Sequence, residues 1–172
     1  MDSIHKLEDN IQTWLKPLPH LPKNWCEWIA KNVWWITLIG VILSALGALA
    51  LVGAIMSAGT IVSVYGVYGD SILQTQTGLW MTASVISLAF LVLTVVITAM
   101  AISPLKALSK KGWDLLFLVY LLGIASQVVG AVVSVFGYTG TNFLSGIIGA
   151  IISAVIGAYF LFEIRSHFKH AS

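Results

Sequence analysis

Four long stretches of the chain are almost continuously apolar, and the polar residues gather between them. The stretches cover 33–56, 79–102, 113–136 and 143–162, and their one charged residue is Asp114. A bilayer core of about 30 Å needs roughly 20 apolar residues of helix. Continuous apolarity favours helices over barrel strands, because lipid leaves an open backbone without partners. The pattern predicts an all-α integral membrane protein with a four-transmembrane-helix bundle.

The polar segments divide the chain into two helical hairpins and the parts that join and follow them. The first hairpin covers 33–102, with an outer loop at 57–78, and the second covers 113–162. The pattern leaves open whether 57–78 is helix, loop or a re-entrant segment. A basic cytoplasmic loop is predicted at 103–112, and a cytoplasmic tail at 163–172.

Residues 1–32 are predicted to form a separate amphipathic arm. Apolar residues recur there at helical spacing until prolines interrupt the helix, and Asn24 is then a candidate N-cap for a second piece. Such a helix can lie flat on a membrane surface. Two interpretations stay open, which are interfacial anchoring and a docking surface for a cytoplasmic or membrane partner.

The basic residues predict the orientation. All nine Lys and Arg residues lie in the arm, in the loop between the hairpins or in the tail. Because Lys and Arg are retained on the cytoplasmic side of a bilayer, we expect both termini to be cytoplasmic, in a plasma or inner membrane. Anionic headgroups are the expected partners of these cations, and the cations are too few to indicate nucleic acid.

Small residues spaced four apart mark helix faces that can pack closely in lipid. The candidates for such a helix-packing seam are Gly149, Ser153, Gly157, Gly40, Ser44, Gly123 and Gly130. Their simplest role is packing inside the bundle. The alternative is that one small face stays open for a homo-oligomer or for another membrane subunit.

Gln127 is the one strongly polar residue near the middle of a predicted span. An amide at that depth needs a hydrogen-bond partner. We expect it either to bond a Ser or Thr hydroxyl on a neighbouring helix or to line a solute path. Thr94 and Thr98 form the weakly polar stripe that such a path would use.

Three charged residues are expected at the cytoplasmic membrane edge. Asp114 opens the third stretch and would gain from the positive end of the helix dipole. Glu163 closes the fourth stretch, at the unfavourable end for an acid. Arg165 and the basic loop are expected to compensate its charge.

The beginnings of the two hairpins also resemble each other. Residues 30–34 read Ala-Lys-Asn-Val-Trp, and residues 109–113 read Ser-Lys-Lys-Gly-Trp. The match indicates a weak tandem repeat of a helical hairpin. Any membrane-entry boundary would also favour Lys followed by Trp, so both explanations stay open.

The residues indicate no catalytic centre, no metal site and no cofactor. The chain has one cysteine, its histidines lie near the termini, and it lacks a Gly-rich phosphate loop. We therefore expect a non-enzymatic accessory, assembly or scaffold subunit that acts through helix–helix contacts. The alternative is a small oligomeric transporter or channel.

Overall fold

The computed structural model is built almost entirely from long helices. It describes residues 10–14, 17, 19–66, 71–136 and 143–168. Within these ranges the side chains of 65–66, 71–76, 132–136 and 143–146 are not described. The helices are α1 (Lys23–Gly66), α2 (Ser71–Lys106), α3 (Lys110–Phe136) and α4 (Phe143–Glu163), and a 3-10 turn (Arg165–His167) follows α4.

Within the described residues, four helices are long and apolar enough to cross a membrane. The predicted helical class and the number of apolar helices are confirmed to that extent. α1 is 44 residues long and extends beyond the predicted span 33–56 at both ends. The described parts of 57–78 are helical, since 57–66 belongs to α1 and 71–78 belongs to α2.

The extension of α1 has a local cause. Its hydroxyl side chains bond back to carbonyls of the same helix, from Ser57 to Ala54 at 2.9 Å and from Ser63 to Thr60 at 2.7 Å. Hydroxyl groups that bond to a carbonyl of the preceding turn are satisfied without leaving the helix, so they are compatible with its continuation. The helix therefore continues through a polar stretch that the apolar pattern alone assigns to a connection.

The N-terminus of α1 is set by a proline. The backbone N–H groups of Trp25 and Cys26 donate to the carbonyl of Pro22, at 2.9 and 3.2 Å. The helix begins at Lys23, so Asn24 lies inside it and the predicted N-cap is wrong. Proline suits the position before a helix because it lacks the N–H that would have no partner there.

A short turn joins α2 to α3. Leu108 has a left-handed φ of 49°, and Ser109 donates its N–H to the Pro104 carbonyl at 3.0 Å. This is the pattern of a Schellman cap, in which glycine is the usual left-handed residue. The Ser109 hydroxyl then accepts the N–H of Gly112 at 3.4 Å, the position of an N-cap for α3.

Gly112 is required by a close approach of the two helices at this turn. A Cβ at Gly112 would lie 2.7 Å from the backbone nitrogen of Leu105 and 2.8 Å from the carbonyl carbon of Pro104. Any side chain there would push apart two backbone segments. The glycine therefore lets the start of α3 pack directly against the end of α2.

Packing follows the chain order, with the most extensive contact between α1 and α2, then between α2 and α3, and then between α3 and α4. The largest buried side chains lie together at one end, which we call the basic end and define as residues 10–34, 101–117 and 158–168. The buried cluster consists of Ala30, Ala101, Leu105, Trp113, Phe117, Leu161, Ile164 and Phe168. Elsewhere the described helices expose most of their large apolar side chains.

Candidate functional site

Trp113 is the centre of the buried cluster at the basic end. Its ring stacks on Phe117 at 5.4 Å between centroids, and Phe162 meets it edge-on at 5.5 Å. Its indole N–H donates to the carbonyl of Leu161 at 2.8 Å. Leu161 lies in the last turn of α4, where carbonyls lack helical partners. Trp113 therefore joins the start of α3 to the end of α4 by both packing and a buried hydrogen bond.

The N-terminal segment is held against α4 by a set of contacts that we call the clasp, made by Pro19, His20, Cys26, Tyr159 and Glu163. His20 Nδ1 lies 2.7 Å from Glu163 Oε1, and the Cys26 thiol donates to Glu163 Oε2 at 3.6 Å. The Tyr159 hydroxyl donates to the Pro19 carbonyl at 2.5 Å. The clasp brings residues 19–26 to the end of α4.

The three predicted interfacial charges all lie at the basic end, and the described partners of Glu163 and Arg165 differ from expectation. Glu163 contacts His20 and Cys26 instead of Arg165. The guanidinium of Arg165 lies 5.2 Å from the Trp113 ring centroid, and its Nη1 donates to Gln12 at 2.6 Å.

The expected dipole effect at Asp114 is reduced by where α3 begins. The helix starts at Lys110 and has no acid in its first turn, so Asp114 lies beyond that turn. The favourable effect of a helix N-terminus on an acid falls off within the first turn. Asp114 is exposed on the surface of the basic end.

Gln127 lies on an apolar groove between α3 and α4. The groove has a volume of about 170 Å³. Its lining residues are Ile124, Gln127, Val128, Ala131, Ile147, Ala150, Ile151 and Ala154. Gln127 is exposed, and within the described part of the chain its amide makes no hydrogen bond. The neighbouring hydroxyl that the sequence analysis expected is not among its described contacts.

Thr94 and Thr98 are not brought to this groove. The Thr98 hydroxyl donates to the Thr94 carbonyl at 2.6 Å, within α2 itself. The described lining of the groove comes from α3 and α4 alone, and it is apolar except for Gln127. In the described structure, Gln127 therefore lies apart from Thr94 and Thr98, the two other residues proposed for a solute path.

The predicted seam residues fall into two groups. Gly157 packs against the ring of Tyr120, whose nearest carbon lies 3.1 Å from the position of an added Cβ. A Cβ at each of four other seam glycines would meet no atom within 4 Å; these are Gly40, Gly123, Gly130 and Gly149. Ser153 is exposed and Ser44 is half-buried. Most of the seam thus faces outward from this chain.

Sequence reasoning missed the residues that join the helices most closely. Tyr120 donates to the Ala154 carbonyl at 2.7 Å, and Gly112 allows the contact between α2 and α3. A glycine three residues after a serine that can cap a helix was a local signal for the turn. Tyr120 carries no such signal, because its partner lies 34 residues away.

No arrangement of metal ligands occurs in the described ranges, where no group of three or more His, Cys, Asp or Glu residues could hold an ion. Comparison with known protein families gives no match, and neither does comparison with curated proteins or with solved structures. The function is therefore argued from the geometry above.

Proposed function

We propose that this is a non-enzymatic multi-pass membrane protein that acts through helix–helix contacts as an accessory, assembly or scaffold subunit. Its four apolar helices cross a bilayer, and the basic end, with both termini, faces the cytoplasm. The described cations at that end include Lys23, Lys31, Lys106, Lys110 and Arg165, which supports this orientation.

The observation that carries the proposal is the outward position of Gln127. Its amide lies on an exposed apolar groove and makes no hydrogen bond to the described part of the chain. An amide surrounded by hydrocarbon costs free energy unless donor and acceptor groups meet it. A second helix with a polar group at the same depth would supply them.

Small residues of α4 that do not line the groove offer a further surface for a partner helix. Gly149 and Ser153 lie on the outer side of α4, whereas Ala158 is buried and Ala154 is half-buried. Small residues let helix backbones approach closely in lipid. α4 therefore has one small face toward α3 and a second small face that a partner helix can use. A second copy of the chain or another membrane subunit would occupy it.

Photo-cross-linking in native membranes tests the proposal. A photoreactive residue is placed at Val128, which lines the groove and is 57% exposed. We expect a product of fixed stoichiometry, identified by mass spectrometry as a second copy or another membrane subunit. Gln127→Leu should reduce the yield several-fold, because the partner loses its polar contact.

The matched control places the same photoreactive residue at Leu43, which is 62% exposed on α1. We expect no defined product there. Equal yields at both positions, together with extraction of the chain as a monomer, would contradict the proposal. A solute flux in reconstituted vesicles that falls with Gln127→Leu would instead support the transporter alternative, which the apolar lining of the groove makes less favourable.

A further inference from the structure

A cleft opens at the basic end between the start of α3 and the turn that follows α4, and we call it the basic cleft. Its volume is about 430 Å³. Its lining includes Gln12, Lys110, Trp113, Phe162, Arg165 and Ser166. Sites for small molecules typically have volumes of roughly 300–1,000 Å³. The basic cleft is therefore large enough for a ligand bigger than a single ion.

The polar wall of the basic cleft is cationic. Lys110 and Arg165 line it, and neither acid of the neighbouring helix ends, Asp114 or Glu163, is part of its described lining. The carboxylate of Glu163 is directed to His20 in the clasp. Cationic side chains beside a hydroxyl and an amide are the groups that bind phosphate oxygens.

Arg165 is held in position by the fold. Its guanidinium lies over the Trp113 ring and donates to Gln12 at 2.6 Å. A guanidinium has five N–H donors in a fixed fork. It can therefore bond more than one acceptor at the same time, and a phosphate oxygen can be one of them. A side chain ordered before the ligand arrives loses less entropy on binding.

The rest of the described lining is mainly apolar and includes Trp113 and Phe162. Elsewhere on α3 and α4, Leu118 and Phe160 are exposed. A soluble phosphate would make no use of these apolar faces. A lipid would, because its phosphate can lie among the cations while its acyl chains follow the helices into the membrane.

We infer that the basic cleft binds the phosphate of an anionic phospholipid, with Lys110 and Arg165 as its contacts and the acyl chains along the outer faces of α3 and α4. This site rests on the proposed membrane placement and cytoplasmic basic end. It does not require a protein partner, so a chain that fails the cross-linking test can still bind the lipid.

The test uses the full chain, purified in a neutral detergent and titrated with phosphatidylglycerol. Phosphatidylcholine and inorganic phosphate serve as reference probes, and native mass spectrometry counts the bound molecules. We expect one phosphatidylglycerol to bind about tenfold or more tightly than phosphatidylcholine. Inorganic phosphate should bind far more weakly, since it lacks the apolar part.

Two adjacent lysines provide a matched pair of variants. Lys110→Gln removes a cation from the basic cleft, whereas Lys111→Gln removes the same charge from an exposed position that is not part of the described lining. We expect Lys110→Gln to weaken phosphatidylglycerol binding about tenfold. Lys111→Gln should leave the affinity within about twofold of the original chain, as expected for an exposed cation screened by salt.

Three outcomes would overturn the site. Equal losses in the two variants would indicate general attraction to a basic surface. If phosphatidylcholine bound as tightly as phosphatidylglycerol, the net charge of the lipid would have no role in binding. If inorganic phosphate bound as tightly, the acyl chains would have none. Unfolding midpoints measured without lipid show whether Lys110→Gln folds, and cross-linking at Val128 in that variant reports separately on the proposed function.

Discussion

The basic end and the remaining lengths of the helices differ in what is buried. At the basic end the side chains of Trp113, Phe117 and Leu105 are almost completely enclosed. Farther along α1 and α2, the buried positions are small residues such as Ala58 and Ser84, and the large apolar side chains face outward. The basic end is therefore stabilised by contacts among its own large side chains. Along the rest of α1 and α2, the large apolar side chains face the medium around the protein.

The difference follows from the solvent that each region is expected to meet. Beside water, burying apolar side chains stabilises the fold, and aromatic rings do so most per residue. In lipid, apolar surface gains no free energy by leaving hydrocarbon, so helices associate mainly through close contacts between small residues. We therefore expect mutations at the basic end to destabilise the chain most, and mutations on the outward faces to act mainly on partner binding.

The largest effect is expected for Trp113→Ala. The change removes the stacked rings and the hydrogen bond to Leu161, so we expect a loss of about 3–5 kcal/mol in unfolding free energy. Trp80→Ala is the control, since Trp80 is 45% exposed on α2. Unfolding in detergent micelles measures both. Equal losses would break the contrast between the two regions.

A smaller loss is expected for Gly112→Ala. The added Cβ meets the backbone of Leu105 and Pro104, and such overpacking costs about 1–3 kcal/mol. Gly123→Ala in the same helix has open space around the new Cβ and should gain up to about 1 kcal/mol from helix propensity. A loss of unfolding free energy for Gly112→Ala and a gain for Gly123→Ala, both measured in micelles, would support the difference between the two regions. A gain in both variants would show that α2 and α3 do not pack closely at Gly112.

The smallest effect on stability is expected for Glu163→Gln, which weakens the clasp. Contacts with an exposed partner contribute little, and the His20 side chain is 69% exposed although that of Glu163 is 11% exposed, so the loss should be below about 1 kcal/mol. The sharper measurement is the rate of maleimide labelling at Cys26, which is buried beside Glu163. We expect labelling to become several-fold faster.

Glu27→Gln is the matched control for the clasp. Glu27 bonds Lys31 on the exposed side of α1, at 2.7 Å. Removing that pair should leave the labelling rate of Cys26 unchanged. An equal acceleration in both variants would mean that Cys26 is protected by the helix start alone.

The apolar pattern predicted the helices but did not predict the contacts between them. It located four apolar helices, because the length of an apolar run is a local property of the chain. It did not predict the contact of Trp113, whose buried indole N–H donates to a carbonyl 48 residues away. Local spacing also treats Gly40 and Gly157 alike, although only Gly157 of this pair has a neighbour that a Cβ would touch.

The candidate site was also predictable only in part, since the sequence shows its polar residues but not their partners. The polarity of Gln127 at mid-span was visible in the sequence, and the charges of Glu163 and Arg165 were too. Their partners were not, because His20 and Gln12 lie more than 140 residues away along the chain. No periodicity connects positions so distant, and the folded arrangement alone brings them together.

The clasp has a consequence for biosynthesis. His20 leaves the ribosome before Glu163, which is added 143 residues later. The segment around His20 must therefore remain undocked until α4 has been synthesised. A product that stops before Tyr159 would leave the Pro19 carbonyl without this partner, so the contact forms only in a chain that has been translated through α4.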